Sequence, residues 1–93
     1  MSFKDGVSII VTVFNKEEFI EETLNSICKQ MRTSHQLIIV DDGSKDQSIK
    51  IINTLINKNK KKNIKLIKKK NEGPSIAINK ALKFVDYSFI KLV

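Results

Sequence analysis

Strand-like apolar runs, each followed by a stretch with helical spacing, constrain this chain more than any other feature. Val7 to Val13 reads Val-Ser-Ile-Ile-Val-Thr-Val and is apolar at nearly every position. A strand of that composition is buried on both faces, as in a parallel sheet. Phe14-Asn15 ends it. From Glu17 to about Met31, apolar residues recur at Phe19, Ile20, Leu24, Ile27, Cys28 and Met31, which is a helical period. Glu17, Glu18, Glu21 and Glu22 fall in the first turns, where acids complement the helix dipole.

The same alternation continues. Gln36 to Asp41 is expected as the second strand, with Asp42-Gly43-Ser44 turning the chain. Ile49, Ile52, Leu55 and Ile56 mark a second helix that ends in a lysine-rich loop. Ile64, Leu66 and Ile67 form a short third strand. Asn71-Glu72-Gly73-Pro74-Ser75 breaks the pattern, with Pro74 placed for a helix first turn. A third helix follows through Ile76, Ala77, Ala81, Leu82 and Val85, and Phe89 to Val93 reads as a fourth strand. Repeated βαβ units with right-handed crossovers predict an α/β fold: a three-layer α/β/α arrangement around a parallel sheet of about four strands. No linker, repeat or second domain is evident.

Size and charge set outer limits. The chain has 93 residues, within the span of one small domain or part of one, and its 41% apolar content suffices for a core. Cys28 is the single cysteine, so there is no intramolecular disulfide framework, and a small core residue is the expected role. The start, Met1 to Gly6, is short and polar, unlike a signal peptide. No segment approaches the ~20 apolar residues of a membrane span. A cytoplasmic protein is expected, and peripheral contact with the inner face of a membrane is compatible with it. The net charge of +7 gathers at Lys58, Lys60, Lys61 and Lys62 and again at Lys68, Lys69 and Lys70. Such patches can bind nucleic acid or anionic lipid by counterion release. With one arginine and no interleaved aromatic residue, a solvated loop and strand end is the better reading.

In an open α/β sheet, ligands bind beyond the carboxyl ends of the strands. Two strand ends gather chemistry there: Thr12-Val13-Phe14-Asn15 and Asp41-Asp42. Phe14 offers a face for a flat ring, and a carboxylate can accept from a ring N–H or ribose hydroxyls. That suits a nucleoside. No G-x-G-x-x-G and no G-x-x-x-x-G-K-[ST] is present, so phosphates would need a metal or basic side chains. Plainer roles exist for each residue. Asn15 can cap the first helix, Asp41-Asp42-Gly43-Ser44 can be a turn, and His35 is expected at the surface without a catalytic partner.

The blocks Val7-Ser8-Ile9-Ile10-Val11-Thr12-Val13-Phe14-Asn15-Lys16, Leu24-Asn25-Ser26-Ile27 with Gln30, and Ile38 through Ser48 resemble the N-terminus of a family 2 glycosyltransferase. Asn71-Glu72-Gly73-Pro74-Ser75-Ile76-Ala77-Ile78-Asn79-Lys80 resembles that family's next block, N-x-G-x-x-x-A-x-N. The resemblance implies a GT-A fold, with residues 1–93 as its Rossmann-like, nucleotide-sugar-binding portion. It implies transfer of a sugar from a nucleoside diphosphate sugar with inversion, to a glycan or lipid-linked acceptor. Thr12 and Phe14 would then line the base pocket, Asp42 would bind the base, and Asp41 would shape the same strand end. Asn15, Gly73 and Asn79 would belong to the loops and helix near the nucleotide.

The family also implies a divalent metal, Mg or Mn, held by a D-x-D motif directly after the strand that here ends at Val93. Metal ligands, catalytic base and acceptor site are therefore expected outside this truncated stretch, which should bind donor without turning it over. Thr12 stands where the family often has proline, and Ile78 where it often has arginine. Two other readings differ in kind. A basic interaction module would bind anionic membrane or nucleic acid through the lysines, and homo-oligomers could form along an open sheet edge. A response-regulator-like receiver wants acids after its first strand, where Phe14-Asn15 stand, and an aspartate where Lys68-Lys69-Lys70 stand.

Overall fold

The computed structural model describes residues 4–93, so Met1 to Phe3 of the polar start lie outside it. The elements run β1 (Lys4–Val13), α1 (Ile20–Gln30), β2 (His35–Asp41), α2 (Ser48–Lys58), β3 (Ile64–Lys68), α3 (Pro74–Leu82) and β4 (Tyr87–Leu92). The strands form one sheet in the order β3-β2-β1-β4, and every neighbouring pair is parallel. Strand direction thus steps one way from β1 through β2 to β3, then crosses back to place β4 on the far side of β1. That crossing is the switch point of an open α/β sheet.

The double-sided burial expected of β1 and β2 divides by residue parity. Ile9, Val11, Val13, Leu37 and Ile39 pack with Ile20, Leu24 and Cys28 of α1 and with Ile52 and Leu55 of α2. Ile10, Ile38 and Val40 face the other way, onto Ala77 and Ala81 of α3 and Val85. Leu24, Leu37, Ile38, Ile39 and Ile52 have no exposed surface, and each such side chain contributes about 1.5–3 kcal/mol of burial free energy. Small alanines on α3 let that helix approach the sheet closely. The result is the three-layer α/β/α arrangement expected from the alternation.

Element ends differ from the sequence expectation where distant contacts compete with local pattern. β1 starts before Val7 because Lys4 pairs with Tyr87, across a register shift between Lys4 and Val7. α1 begins at Ile20, not Glu17. The N–H of Glu17 donates to Asp46 Oδ2 at 3.1 Å, and Phe19 and Ile20 both donate to the Lys16 carbonyl, which makes a turn first. Only Glu21 and Glu22 sit in the helix first turn. α3 ends at Leu82, so Val85 packs from the connection beyond it. There Gln36, from β2, donates to the Phe84 carbonyl at 2.8 Å and accepts from the Asp86 N–H at 3.1 Å, drawing the chain out of the helix. No helix among the described residues is long and apolar enough to cross a membrane. Beyond β1, β4 is the outer strand, with Phe89 71% and Leu92 57% exposed.

Candidate functional site at the strand ends

The carboxyl ends of β1 and β2 lie side by side, with Thr12 opposite Val40 and Val13 opposite Asp41. The ladder continues one step past the strands: Asp42 donates its N–H to the Val13 carbonyl at 2.8 Å, and Lys69 donates to the Asp41 carbonyl at 3.0 Å. These bonds bring the segments after β1, β2 and β3 to one edge of the sheet. An open cleft of about 320 Å³ lies there, lined by Thr12, Val13, Phe14, Lys16, Asp42, Asn71, Gly73 and Pro74.

The adjacent carboxylates do different work. Asp41 is fully buried, and its Oδ2 accepts the N–H groups of Gly43 at 3.1 Å and Ser44 at 2.9 Å, so it fastens its own turn. Its Oδ1 is buried without a partner among the described residues. Asp42 instead reaches across to the β3–α3 connection. Its Oδ1 accepts from the Lys69 ammonium and from the Glu72 N–H at 2.9 Å, and its Oδ2 accepts from the Gly73 N–H at 2.9 Å. The Lys69 hydrogen bond, helped by those backbone N–H groups, holds the Asp42 carboxyl below the ordinary carboxylate range. Gly43 adopts φ +88°, and a Cβ there would stand 3.1 Å from the Asn71 nitrogen, so glycine lets the two turns approach.

Asn15 is not a helix cap. It sits at φ 50° in the left-handed region, donates its N–H to Ser44 Oγ and accepts the Lys45 N–H on Oδ1, each at 2.9 Å. Lys16 N–H donates to Ser48 Oγ at 2.9 Å, and Glu17 Oε2 accepts the Gln47 N–H at 3.1 Å. Burial pushes the Asp46 carboxyl up, but hydrogen bonds from Ser48 and Glu17 outweigh it and keep it low. The loops after β1 and β2 are thereby tied into one rim.

Of the residues singled out from sequence, Thr12, Phe14, Asp42 and Gly73 line the cleft together, with Phe14 40% exposed. Asn15 borders a neighbouring recess with Glu17, Glu18, Phe19, Lys45 and Asp46. Asp41 lies beneath the turn, and Asn79 is an exposed residue of α3 outside the lining set. Sequence reasoning passed over Lys16, Asn71 and Lys69. The first two stood inside the quoted motif blocks; Lys69 was concealed in a run of lysines. Lys58, Lys60, Lys61, Lys68 and Lys70 are exposed, as a solvated basic segment requires, whereas Lys69 is buried. His35 is half-buried at the start of β2 and accepts the Arg32 N–H on Nδ1 at 3.1 Å.

Among the described residues, no three of His, Cys, Asp or Glu come together as a cation-binding set. The Asp42 oxygens are committed to Lys69 and backbone donors, and Asp41 Oδ2 is committed to its turn. The described residues therefore do not fit the metal implied by the family.

Comparison with known proteins agrees with this geometry. A family model described as glycosyl transferase family 2 matches residues 8–92. An uncharacterized glycosyltransferase of Haemophilus influenzae is 38% identical over 85 residues, covering 90% of this chain and 33% of the relative. The poly(ribitol-phosphate) β-N-acetylglucosaminyltransferase TarS of Staphylococcus aureus is 35% identical over 88 residues, covering 92% of this chain and 15% of TarS. Residues 1–349 of TarS, solved in complex with UDP-GlcNAc, superpose with a TM-score of 0.82 at 34% identity over 95% of this chain and 26% of that one. The mannosyltransferase PcManGT of Pyrobaculum calidifontis, solved with GDP-Man and Mn2+, shares the fold with a TM-score of 0.82 at 24% identity, covering 89% of this chain and 25% of that one. The chain therefore spans about a third or less of the length of these relatives. These proteins lend no support to a basic interaction module. With its parallel α/β sheet, its strand-end cleft and a family match across residues 8–92, this chain belongs to glycosyl transferase family 2.

Proposed function

We propose that this chain is the donor-binding portion of a GT-A glycosyltransferase and that its strand-end cleft receives a nucleoside diphosphate sugar. The observation that carries the reading is the convergence of Thr12, Phe14 and Asp42 on one open cleft at the carboxyl ends of two parallel strands, β1 and β2. Phe14 presents its ring for stacking on the base. Asp42, held ionised by Lys69, accepts an N–H from the base edge. Asn71 and Gly73 supply backbone and amide contacts beside it. Lys16 is the cation among the lining residues and fits the role of neutralising the diphosphate in a cleft without a phosphate-cradling glycine loop. The complexes of TarS with UDP-GlcNAc and of PcManGT with GDP-Man support a nucleotide-sugar donor.

In the inverting reaction of such an enzyme, an acceptor hydroxyl attacks the anomeric carbon as the nucleoside diphosphate departs. The residues of this chain bind and orient the donor for that displacement. Their role is to hold the donor, and the 93 residues alone are expected to bind it without transferring sugar. Titration with UDP and with GDP, followed by amide NMR shifts, tests the reading. Shifts centred on residues 12–15 and 41–44 are expected with at least one nucleotide; no shift there with either sinks it.

A further inference from the structure

Lys69 stands between Lys68 and Lys70, both exposed, yet it is itself only 8% exposed. A lysine withdrawn from water needs acceptors for its three N–H groups. The ammonium donates to Asp42 Oδ1 and to the Lys70 carbonyl at 2.6 Å, and Glu72 Oε1 lies at 3.5 Å. Its donors are committed within the protein, so any influence it has on a ligand passes through Asp42.

A carboxylate oxygen offers two in-plane acceptor positions. Asp42 Oδ1 has filled both, with Lys69 and the Glu72 N–H; Oδ2 has filled one, with the Gly73 N–H. One acceptor position remains on a residue that lines the cleft. Nucleobases differ in what they ask of such a group. Guanine sets two donors side by side, the ring N1–H and the exocyclic N2–H, matched to the two oxygens of a free carboxylate. Uracil presents a single imide N–H between two carbonyls.

We infer that Lys69 is a positioning residue that sets base selectivity: by occupying one oxygen of Asp42 it leaves room for a single N–H donor and favours uracil over guanine. This rests on the donor-binding reading above and goes beyond it, because TarS was solved with UDP-GlcNAc and PcManGT with GDP-Man. The depressed pKa of Asp42 agrees with the carboxylate staying an acceptor at neutral pH.

The test measures dissociation constants of the 93-residue chain for UDP, GDP and inosine diphosphate, which is GDP without the N2 amino group. UDP should bind about tenfold or more tighter than GDP, the scale of one hydrogen bond to a charged group. Inosine diphosphate should bind at least as well as GDP, since the amino group finds no acceptor. Lys69→Met frees an Oδ1 position, so the UDP-to-GDP preference should fall about tenfold. GDP binding as tightly as UDP, or inosine diphosphate binding about tenfold weaker than GDP, overturns the inference while leaving the nucleotide site standing. Lys69→Met weakening both nucleotides equally, with the preference intact, also overturns it, since that is what a merely structural lysine would do. If Lys69→Met does not fold, the inosine comparison on the unaltered chain decides. Failure of every nucleotide to shift residues 12–15 and 41–44 overturns the donor site and this inference with it.

Discussion

Asn15 and Ser44 lock the loops after the first two strands to each other: the Asn15 N–H donates to Ser44 Oγ at 2.9 Å, and Asn15 Oδ1 accepts from Lys45, the residue after Ser44, at 2.9 Å. Asn15 makes both bonds from φ 50°, a backbone region that asparagine and glycine tolerate and other residues resist. Asn15→Ala should therefore cost more stability than Asn15→Gly, by about 1 kcal/mol, although both lose the amide oxygen. Urea denaturation of the two variants measures the difference. Equal costs would mean that the backbone strain is relieved elsewhere.

The ion pair between Asp42 and Lys69 gives stability a definite pH dependence. Because the folded pKa of Asp42 lies below its unfolded value, its contribution is fully present above about pH 4 and is lost as pH falls through the lower folded value. Asp46, also held low, acts in the same direction. Asp42→Asn should lower stability at neutral pH and flatten the acid limb of a stability-against-pH curve. An acid limb unchanged in the variant would assign that limb to other groups.

Gln36 is 4% exposed, and its amide is used in full: Oε1 accepts from Ser8 Oγ at 2.8 Å and from the Asp86 N–H, while Nε2 donates to the Phe84 carbonyl and to Asp86 Oδ2. Gln36→Leu strands the fully buried Ser8 hydroxyl, at about 1–3 kcal/mol, and also removes the bonds to the Phe84 carbonyl and the Asp86 N–H, which belong to exposed residues that water can reach. Ser8→Ala should cost about 1 kcal/mol, since Gln36 keeps its other bonds. The double variant should lose less than the sum of the single losses, because the stranded hydroxyl is gone. Chemical denaturation of all three variants checks the coupling.

Cys28 is buried in the α1-facing core, and burial pushes its thiol pKa up despite the opposing charge of Lys62. Its native reaction with a thiol reagent should be slow at pH 8 and become fast only in denaturant. Rapid native labelling would show that α1 opens readily from the sheet.

How legible each part was follows from how far apart its determinants lie. The runs Val7–Val13 and Leu37–Val40 announced β1 and β2 because a parallel strand buried on both faces needs no partner to reveal its pattern. Thr12, Phe14 and Asp42 were legible as a group because strand ends in such a sheet share one edge. Lys69 was not, since its burial is created by Asp42 and by a loop that folds back over it. For Asn15 the local pattern leaves a helix cap and a place near the nucleotide both open, because its partners Ser44 and Lys45 follow the next strand. The Glu17 start of α1 was displaced for the same reason, by Asp46.

In a sheet ordered β3-β2-β1-β4, β1 lies inside the sheet although it precedes the other three strands in sequence. Its partner β4, which pairs Phe89 with Val7, leaves the ribosome only after three helices and two further strands. A nascent chain thus carries an apolar β1 edge open until residues 87–92 have been made, and contacts so distant in sequence form slowly. Until β4 arrives, that edge is a template for any passing strand. Yield in cells should therefore depend on how quickly translation reaches residues 87–92 and on chaperones that shield the edge meanwhile.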